Sequence, residues 1–495
     1  MFASFRERSL NIINKYTSGT SLRGMAVRGS VWLGVASGTE QVLRLIRNMI
    51  LARLLAPEAF GLMAIAVSIN SAFESFTQIG VKEAVIQNQR GQERSYLNGA
   101  WWLSCGRAFI IYGIIWVSAP WISNFYNNHQ LIPLMRVVFL GVLFNGLMSS
   151  EAYAAIKEMQ LKKWVIVYHG GSICGILSAI LLAYIIPNVW ALVIGYTIEA
   201  AARCILSFIV CPFYPRFDFD RDNMRALLKF SRGMFGLPIL TFIYLNIDVF
   251  VIGKVMTIED LGFYSLVAGI AWMPFQFITS IMTQVMSPAF AKKQNDQDWI
   301  NQWTLNLTKI ITFVGFPLLF WVIFYGREIL TLVYGVKYGA VAIPFAIIFA
   351  NALMRTVSVP IATVYISTGR PELHRFFTAI RTILIMVLIW PAIHFFGLIG
   401  AASAGLISML IGNLFQINRM NSITGLPLRP YFKVFALSLL FSFFILMFGS
   451  MSVYFPFSSP IINSSIGFLG CFFSYVAMII YFIRSKKLRL NGSYA

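Results

Sequence analysis

Long runs of apolar residues follow one another along almost the whole chain, and short polar connections separate them. An α-helix crosses the hydrocarbon core of a bilayer with about 20 mostly apolar residues, so each run of this length predicts one span. The runs lie at roughly 29–52, 60–80, 98–122, 131–151, 164–186, 189–211, 234–253, 262–286, 306–326, 340–366, 376–396, 398–418, 432–455 and 462–483. The pattern predicts an all-α polytopic membrane protein with about 14 transmembrane helices.

The composition agrees with this pattern. Hydrophobic residues make up 58% of the 495 residues, charged residues make up 12%, and the mean hydropathy is +0.73. Soluble domains carry about 25% charged residues. A chain with half that share cannot cover a surface that faces water, so no large soluble domain is expected.

The positive charge lies mainly in the connections. Lys and Arg number 39 against 19 Asp and Glu, which gives a net charge of +20. If the N-terminus is cytoplasmic, every inner connection is richer in Lys and Arg than the outer ones, which hold Arg53, Lys254, Arg327 and Lys337. This predicts that both termini are cytoplasmic. The charge suits anionic membrane lipid, and without any nucleic-acid motif it excludes nucleic acid as a partner.

The longest inner connection divides the runs into two sets of six and a final pair. The predicted parts are a cytoplasmic N-terminal segment (1–26), a first six-helix bundle (27–211), a cytoplasmic linker (212–233), a second six-helix bundle (234–418), two final transmembrane helices (419–483) and a basic cytoplasmic tail (484–495).

The two bundles carry a weak internal repeat. The segment LARLLAPEAFGLMA (51–64) aligns without gaps on IGKVMTIEDLGFYS (252–265), at an offset of 201 residues. The pairs that keep their character are Arg53 with Lys254, Glu58 with Glu259, and Gly61 with Gly262. Six spans in each half is an even number, so both halves run the same way through the membrane. This predicts a parallel pseudo-repeat with a site between the halves.

Motifs for catalysis and for cofactors are missing from the sequence. There is no phosphate-binding GxxxxGK loop, no HExxH and no GxSxG. Five cysteines and four histidines lack metal-ligand spacing, and the histidines are interpreted as polar residues at the membrane interface. The sequence therefore predicts no enzyme activity, no catalytic residue, no metal and no cofactor.

Charged residues inside the spans are the candidates for function, because each costs about 2.5–3.5 kcal/mol at a helix centre. Glu40, Arg44 and Arg47 lie within about 60° on one face of the first span. A simple Glu40–Arg44 ion pair that helps the helix to insert is the alternative, but it leaves Arg47 unexplained. We favour a face that lines a cavity.

Other spans carry further charges. Glu74, Arg136, Asp248 and Arg355 lie within spans two, four, seven and ten. The substrate-binding candidates are Arg44, Arg47, Arg355 and Arg136, because arginine binds phosphate through paired hydrogen bonds. The candidates for ion coupling or ion pairing are Glu40, Glu74 and Asp248.

Local spacing explains several remaining residues in the spans. Glu199 and Arg203 are four residues apart and are predicted to pair with each other. Arg381 is expected to extend toward the cytoplasmic interface. The pattern Gly171xxxGly175 predicts close helix packing. The repeat aligns Asp248 with Arg47, so these two side chains are predicted to face each other or one cavity.

Five segments together resemble one known family. They are ILARLLAPEAFGLMAIAVSIN (50–70), QIGVKEAVIQNQ (78–89), MSPAFAKKQND (286–296), LVYGVKYGAVAIPF (332–345) and ISTGRPELHRFF (366–377). The chain resembles the bacterial polysaccharide transporters of the multidrug/oligosaccharidyl-lipid/polysaccharide (MOP) exporter superfamily, which includes Wzx-type flippases. The resemblance implies two six-helix bundles in a V, followed by two extra helices.

The resemblance also implies a function. Members of the family are flippases in the bacterial inner membrane. Their substrate is an undecaprenyl-pyrophosphate-linked oligosaccharide repeat unit for exopolysaccharide, capsule or O-antigen. A polysaccharide polymerase and a chain-length regulator are the implied protein partners. The alternatives are an ion-coupled multidrug or metabolite antiporter of the same superfamily and a non-transporting scaffold.

Overall fold

A computed structural model describes residues 22–77, 80–217, 220, 223–225, 227–228 and 236–451. Helices account for most of these residues, and none of them lies in a β-strand. The contacts within the chain divide it into two units, Met1–Ser265 and Leu266–Ala495. The predicted bundle boundaries, with the linker at 212–233, stay a prediction. The predicted last span (462–483) and the tail (484–495) lie outside the described residues.

Besides residues 223–225 and 227–228, which are helical as well, unit 1 contains ten helices whose bounds are described, and an eleventh begins in it. They are α1 (Leu22–Leu54), α2 (Pro57–Phe76), α3 (Val81–Gln87), α4 (Arg94–Tyr126), α5 (Leu131–Val138), α6 (Leu140–Gly146), α7 (Glu151–Lys157), α8 (Leu161–Ile185), α9 (Val189–Val210), α10 (Leu237–Val255) and α11 (Ile258–Lys292). Proline in the first turn of α2 fits there, because that turn has no intrahelical partner for its N–H groups. Asn188 begins α9 by accepting a hydrogen bond from the backbone N–H of Trp190.

Unit 2 continues α11 and adds four helices among the residues described there. They are α12 (Gln297–Tyr334), α13 (Ala342–Ser367), α14 (Pro371–Thr424) and α15 (Leu428–Met451), with a 3-10 helix at Val336–Val341. Tyr325 departs from helical geometry inside α12, where the helix kinks.

Eight helices in the described part of the chain are long and apolar enough to cross a membrane. A ninth span results if Leu131–Gly146 and Glu151–Lys157, which meet at a bend of 59°, are counted together. The chain is thus a multi-pass membrane protein. The helix α1 is not one of the eight. It corresponds to the least hydrophobic of the predicted spans, because Glu40, Arg44 and Arg47 interrupt its apolar sequence.

The helix α14 folds back on itself at Gly397. This residue has φ 55° and ψ −133°, a conformation that residues with a Cβ rarely adopt. A Cβ on Gly400 would lie 1.8 Å from the carbonyl oxygen of Ala392, which is possible only if the two halves of α14 meet. The reversal confirms the predicted break between the spans at 376–396 and 398–418.

Arg381 joins the two halves of this hairpin. Its guanidinium donates hydrogen bonds to Asn413 Oδ1, at 2.9 Å, and to Gln416 Oε1. The residue is 6% exposed. The prediction that Arg381 extends to the interface is therefore wrong, because polar acceptors on the facing half offer it hydrogen bonds inside the protein.

The two repeat windows contact each other within unit 1. A Cβ on Gly61 would lie 2.1 Å from the carbonyl oxygen of Ile258, and a Cβ on Gly262 would lie 1.8 Å from that of Pro57. Pro57 and Ile258 are separated by the same 201 residues as Gly61 and Gly262. The contact is therefore reciprocal, as expected for two equivalent turns related by a local two-fold axis.

Candidate substrate-binding site

The charged face of α1 packs against two other helices. Arg44 donates from Nε to Glu40 Oε1 at 2.8 Å and from Nη2 to Glu199 Oε1 at 2.6 Å. Arg203 donates from Nη2 to the same oxygen of Glu199 at 2.5 Å. The predicted pairing of Glu199 with Arg203 is confirmed, and the Glu40–Arg44 pair is present. Arg44 thereby links α1 to α9.

Helix α8 supplies the remaining polar partners. His169 Nδ1 lies 2.5 Å from Glu40 Oε2, and Ser172 Oγ lies 3.0 Å from Glu40 Oε1 and 3.1 Å from Glu199 Oε1. Ser172 also accepts a hydrogen bond from Arg203 at 2.8 Å. We call these six residues the charged cluster: Glu40, Arg44, His169, Ser172, Glu199 and Arg203.

Two glycines make room for the charged cluster between α8 and α9. A Cβ on Gly171 would lie 2.3 Å from Arg203 Cγ, and a Cβ on Gly175 would lie 2.4 Å from Glu199 Cβ. The prediction of close packing from Gly171xxxGly175 is confirmed. On its other side, the Arg203 guanidinium lies 3.9 Å from the centre of the Tyr168 ring, a cation–π contact.

The charged cluster contains equal numbers of carboxylates and guanidinium groups. Two carboxylates face two guanidinium groups, and the hydrogen bonds among them offset the cost of removing these charges from water. The side chain of Arg44 is 29% exposed, so one side of it remains open to a ligand. An anion that binds Arg44 has to compete with Glu40 and Glu199 for its positive charge.

His169 belongs to the charged cluster, although the sequence analysis interpreted it as a polar residue at the membrane interface. It is 9% exposed and lies beside Glu40, so its interpretation as an interface residue is wrong. His169 lies three residues before Ser172, so the two side chains share the helix face that meets Glu40.

The other candidate residues lie in separate surroundings. Arg47 donates from Nε and Nη2 to Asn48 Oδ1, at 3.2 and 3.0 Å. Asp248 accepts hydrogen bonds from the Tyr264 hydroxyl at 2.8 Å and from its neighbour's backbone N–H at 2.9 Å. Glu74 lies beside Arg107, which donates to the Glu74 carbonyl oxygen at 3.2 Å.

Two of the candidate arginines contact tryptophan. The guanidinium of Arg136 lies 4.0 Å from the centre of the Trp116 ring, in unit 1. That of Arg355 lies 5.1 Å from the centre of the Trp272 ring, in unit 2. A common cavity for Arg44, Arg47, Arg136 and Arg355 stays a prediction.

Comparison with known families decides the classification. A family described as polysaccharide biosynthesis protein matches residues 50–343, which is more than half of the chain. The chain belongs to this family. The resemblance predicted from the sequence motifs is thereby confirmed.

This polysaccharide biosynthesis protein has relatives along most of its length. It is 23% identical over 398 residues to the lipopolysaccharide biosynthesis protein WzxC of Escherichia coli, covering 80% of this chain and 79% of WzxC. It is 23% identical over 356 residues to the teichuronic acid biosynthesis protein TuaB of Bacillus subtilis, covering 71% of this chain and 73% of TuaB. The similarity thus extends over most of each protein.

Solved structures share the fold. The lipid II flippase MurJ, in an inward closed conformation, matches with a TM-score of 0.75 and 15% identity, over 91% of this chain and 98% of MurJ. An inward-facing multidrug resistance MATE transporter of the MOP superfamily matches with a TM-score of 0.58 and 12% identity, over 77% of this chain and 95% of that one. The predicted MOP fold class is confirmed.

Proposed function

We propose that the protein is a flippase for undecaprenyl-pyrophosphate-linked oligosaccharide repeat units. It moves them from the cytoplasmic to the periplasmic face of the bacterial inner membrane for exopolysaccharide, capsule or O-antigen biosynthesis. The match to the polysaccharide biosynthesis family over residues 50–343 carries this proposal. WzxC, named for lipopolysaccharide biosynthesis, and MurJ, named as a lipid II flippase, support it.

The chemistry of such a substrate calls for a polar path inside a membrane protein. A pyrophosphate and several sugars cannot cross hydrocarbon unaided, because each unpaired polar group costs several kcal/mol there. The polyprenyl chain can stay in lipid. Transport then needs no bond to be made or broken, so the proposal assigns the protein no catalytic residue and no cofactor.

Arginines are the proposed holders of the pyrophosphate. Arg44, Arg47, Arg136 and Arg355 form a cationic path in this proposal, and the two helix bundles expose it to each side in turn. Arg44 contributes through the exposed part of its side chain, while it also shares its charge with Glu40 and Glu199. Both termini are cytoplasmic, and a polymerase and a chain-length regulator act on the delivered unit.

The transport proposal is tested in a strain that lacks this gene. Lipid-linked repeat units are expected to accumulate on the cytoplasmic face, and the intact gene is expected to restore their export. An ion-coupled drug or metabolite antiporter, with Glu40, Glu74 or Asp248 as the ion carrier, would instead leave the repeat units distributed normally. Normal distribution would therefore reject the flippase.

Arg47→Ala is expected to reduce polysaccharide export about tenfold, since a charge-assisted hydrogen bond to phosphate contributes roughly 1.5–3 kcal/mol. Arg44→Ala is expected to reduce export as well. The matched control is Arg53→Ala, an exposed arginine at the end of the same helix. Export is measured as surface polysaccharide per amount of inserted protein. Full export by both correctly inserted test variants would contradict the arginine site.

The proposed pairing of Arg47 with Asp248 has its own test. Cysteines replacing both residues are expected to form a cross-link with a short bifunctional reagent in at least one transport state, because the repeat places them at equivalent positions. The chain is cleaved between positions 47 and 248, and a cross-link is detected because the two fragments then migrate together on a denaturing gel. A lack of cross-link in every state would show that the two positions do not face one cavity.

A further inference from the structure

A second polar site lies in unit 1 and shares none of its lining residues with the charged cluster. A cavity of about 500 Å³ opens among α2, α3, α4, α6 and α7. Its volume lies within the roughly 300–1,000 Å³ of ligand pockets. We call it the polar cavity, and the lining residues that carry its chemistry are Glu74, Lys82, Glu83, Arg107, Asn145 and Tyr153.

The backbone creates the polar cavity by breaking the helical path after α2. The helix ends at Phe76, and Gly80 takes a left-handed conformation with φ 62° before α3 begins. On the opposite side, the chain bends by 59° between α6 and α7. The two breaks leave a space that continuous helices would fill.

Arg107 is held in place at the wall of this space. Its Nε donates to Thr77 Oγ1 at 3.0 Å, and its Nη2 donates to the carbonyl oxygen of Glu74 at 3.2 Å. A guanidinium has five N–H donors, so these two bonds leave donor capacity toward the cavity. The arginine is therefore oriented before any ligand arrives.

Glu74 provides the complementary acceptor. Its carboxylate lies in a predicted span and accepts no hydrogen bond from any residue that the structure describes. A carboxylate inside the membrane is costly unless it is paired or meets a polar ligand or water. Arg107 beside it offsets part of this cost, and because Glu74 lines the polar cavity, a polar ligand in that space can hydrogen-bond to the carboxylate.

The charges that line the polar cavity cancel. Glu74 and Glu83 balance Lys82 and Arg107, whereas a pyrophosphate site needs an excess of positive charge. Sugar hydroxyls both donate and accept hydrogen bonds, so they can pair with a carboxylate and a guanidinium at once. The amide of Asn145 adds one further donor and acceptor group.

We propose that the polar cavity is a subsite for the sugar rings of the lipid-linked substrate, with Glu74 and Arg107 as the residues that determine sugar specificity. This inference rests on the proposed flippase function and divides the substrate into two parts. The arginines bind the pyrophosphate, and the polar cavity recognises hydroxyl groups. A site built to bind hydroxyls discriminates strongly, because an analogue without them leaves buried polar groups unpaired.

The test compares two lipids on the purified full-length protein in lipid nanodiscs. One probe is the lipid-linked oligosaccharide extracted from the deletion strain, and the other is undecaprenyl pyrophosphate without sugars. Glu74→Gln is expected to weaken binding of the oligosaccharide lipid about tenfold and to leave binding of the sugar-free lipid unchanged. Glu58→Gln, at an exposed glutamate on the same helix, is the matched control and is expected to change neither affinity.

Two outcomes would overturn the sugar subsite. Equal affinities of Glu74→Gln and the unchanged protein for the oligosaccharide lipid would show that the cavity does not contact sugar. Equal losses for both lipids would show a general effect on the fold or on the pyrophosphate site. If the unchanged protein binds neither lipid, the flippase proposal fails as well, so the two failures are distinguishable.

Discussion

Glu199→Leu is expected to lower the free energy of unfolding by about 3 kcal/mol, because it leaves two partly buried arginines without a shared counterion. Glu199 is 7% exposed and accepts hydrogen bonds from both Arg44 and Arg203. Glu40 still pairs with Arg44 in this variant, while Arg203 keeps its contact with the Tyr168 ring. The loss is measured as the shift in thermal unfolding temperature of the purified protein in detergent.

A second substitution separates the ion pairs from simple packing. Adding Arg203→Met to Glu199→Leu is expected to recover much of the loss, since it removes the arginine that has lost its carboxylate counterion. The control is Glu93→Leu, which breaks the exposed pair of Glu93 with Arg90 and is expected to cost much less, because water screens exposed ion pairs. A loss for Glu199→Leu no larger than that of Glu93→Leu would mean that the charged cluster contributes little to stability.

Gly262→Ala is expected to force apart the starts of α2 and α11, with a cost of about 2–3 kcal/mol. The added Cβ would lie 1.8 Å from the carbonyl oxygen of Pro57, and backbone atoms cannot move away as a flexible side chain can. Gly61→Ala is expected to act in the same way through the carbonyl oxygen of Ile258. Thermal unfolding and polysaccharide export are the two measurements.

The reciprocal contact also predicts how Gly61→Ala and Gly262→Ala combine in a double variant. Once one alanine has separated the two turns, the second meets less resistance, so the combined loss is expected to be smaller than the sum of the single losses. The matched control is Gly113→Ala in α4, because a Cβ there meets nothing within 4 Å. Additive losses from Gly61→Ala and Gly262→Ala would argue against a shared contact.

The positions of most helices follow from hydropathy alone, because the bilayer requires a minimum apolar length for each span. The break at Gly397 was visible as the boundary between two adjacent apolar runs. The bend between α6 and α7 falls at the end of the predicted run 131–151, and hydropathy did not show that a helix resumes there as α7. Local bends depend on packing against neighbouring helices, and hydropathy carries no information about them.

Contacts in the candidate site could be predicted where both residues lie on the same helix, because helix geometry then sets the distance between them. Glu199 and Arg203 are one helical turn apart, so their pairing follows from helix geometry. The bond from Arg44 to Glu199 joins residues 155 positions apart and depends on how α1, α8 and α9 pack. Likewise, the repeat alignment identified Gly61 and Gly262 as equivalent, but equivalence does not reveal that their turns touch.

The hairpin at Gly397 has a consequence for how the protein is made. An unpaired charged side chain inside a membrane costs free energy, so the first half of α14 is less stable in the bilayer by itself than in the complete hairpin. Arg381 finds acceptors on Asn413 and Gln416, which are synthesised more than 30 residues later. The first half therefore reaches its full stability in the bilayer only after Gln416 has been synthesised and the second half has packed against it.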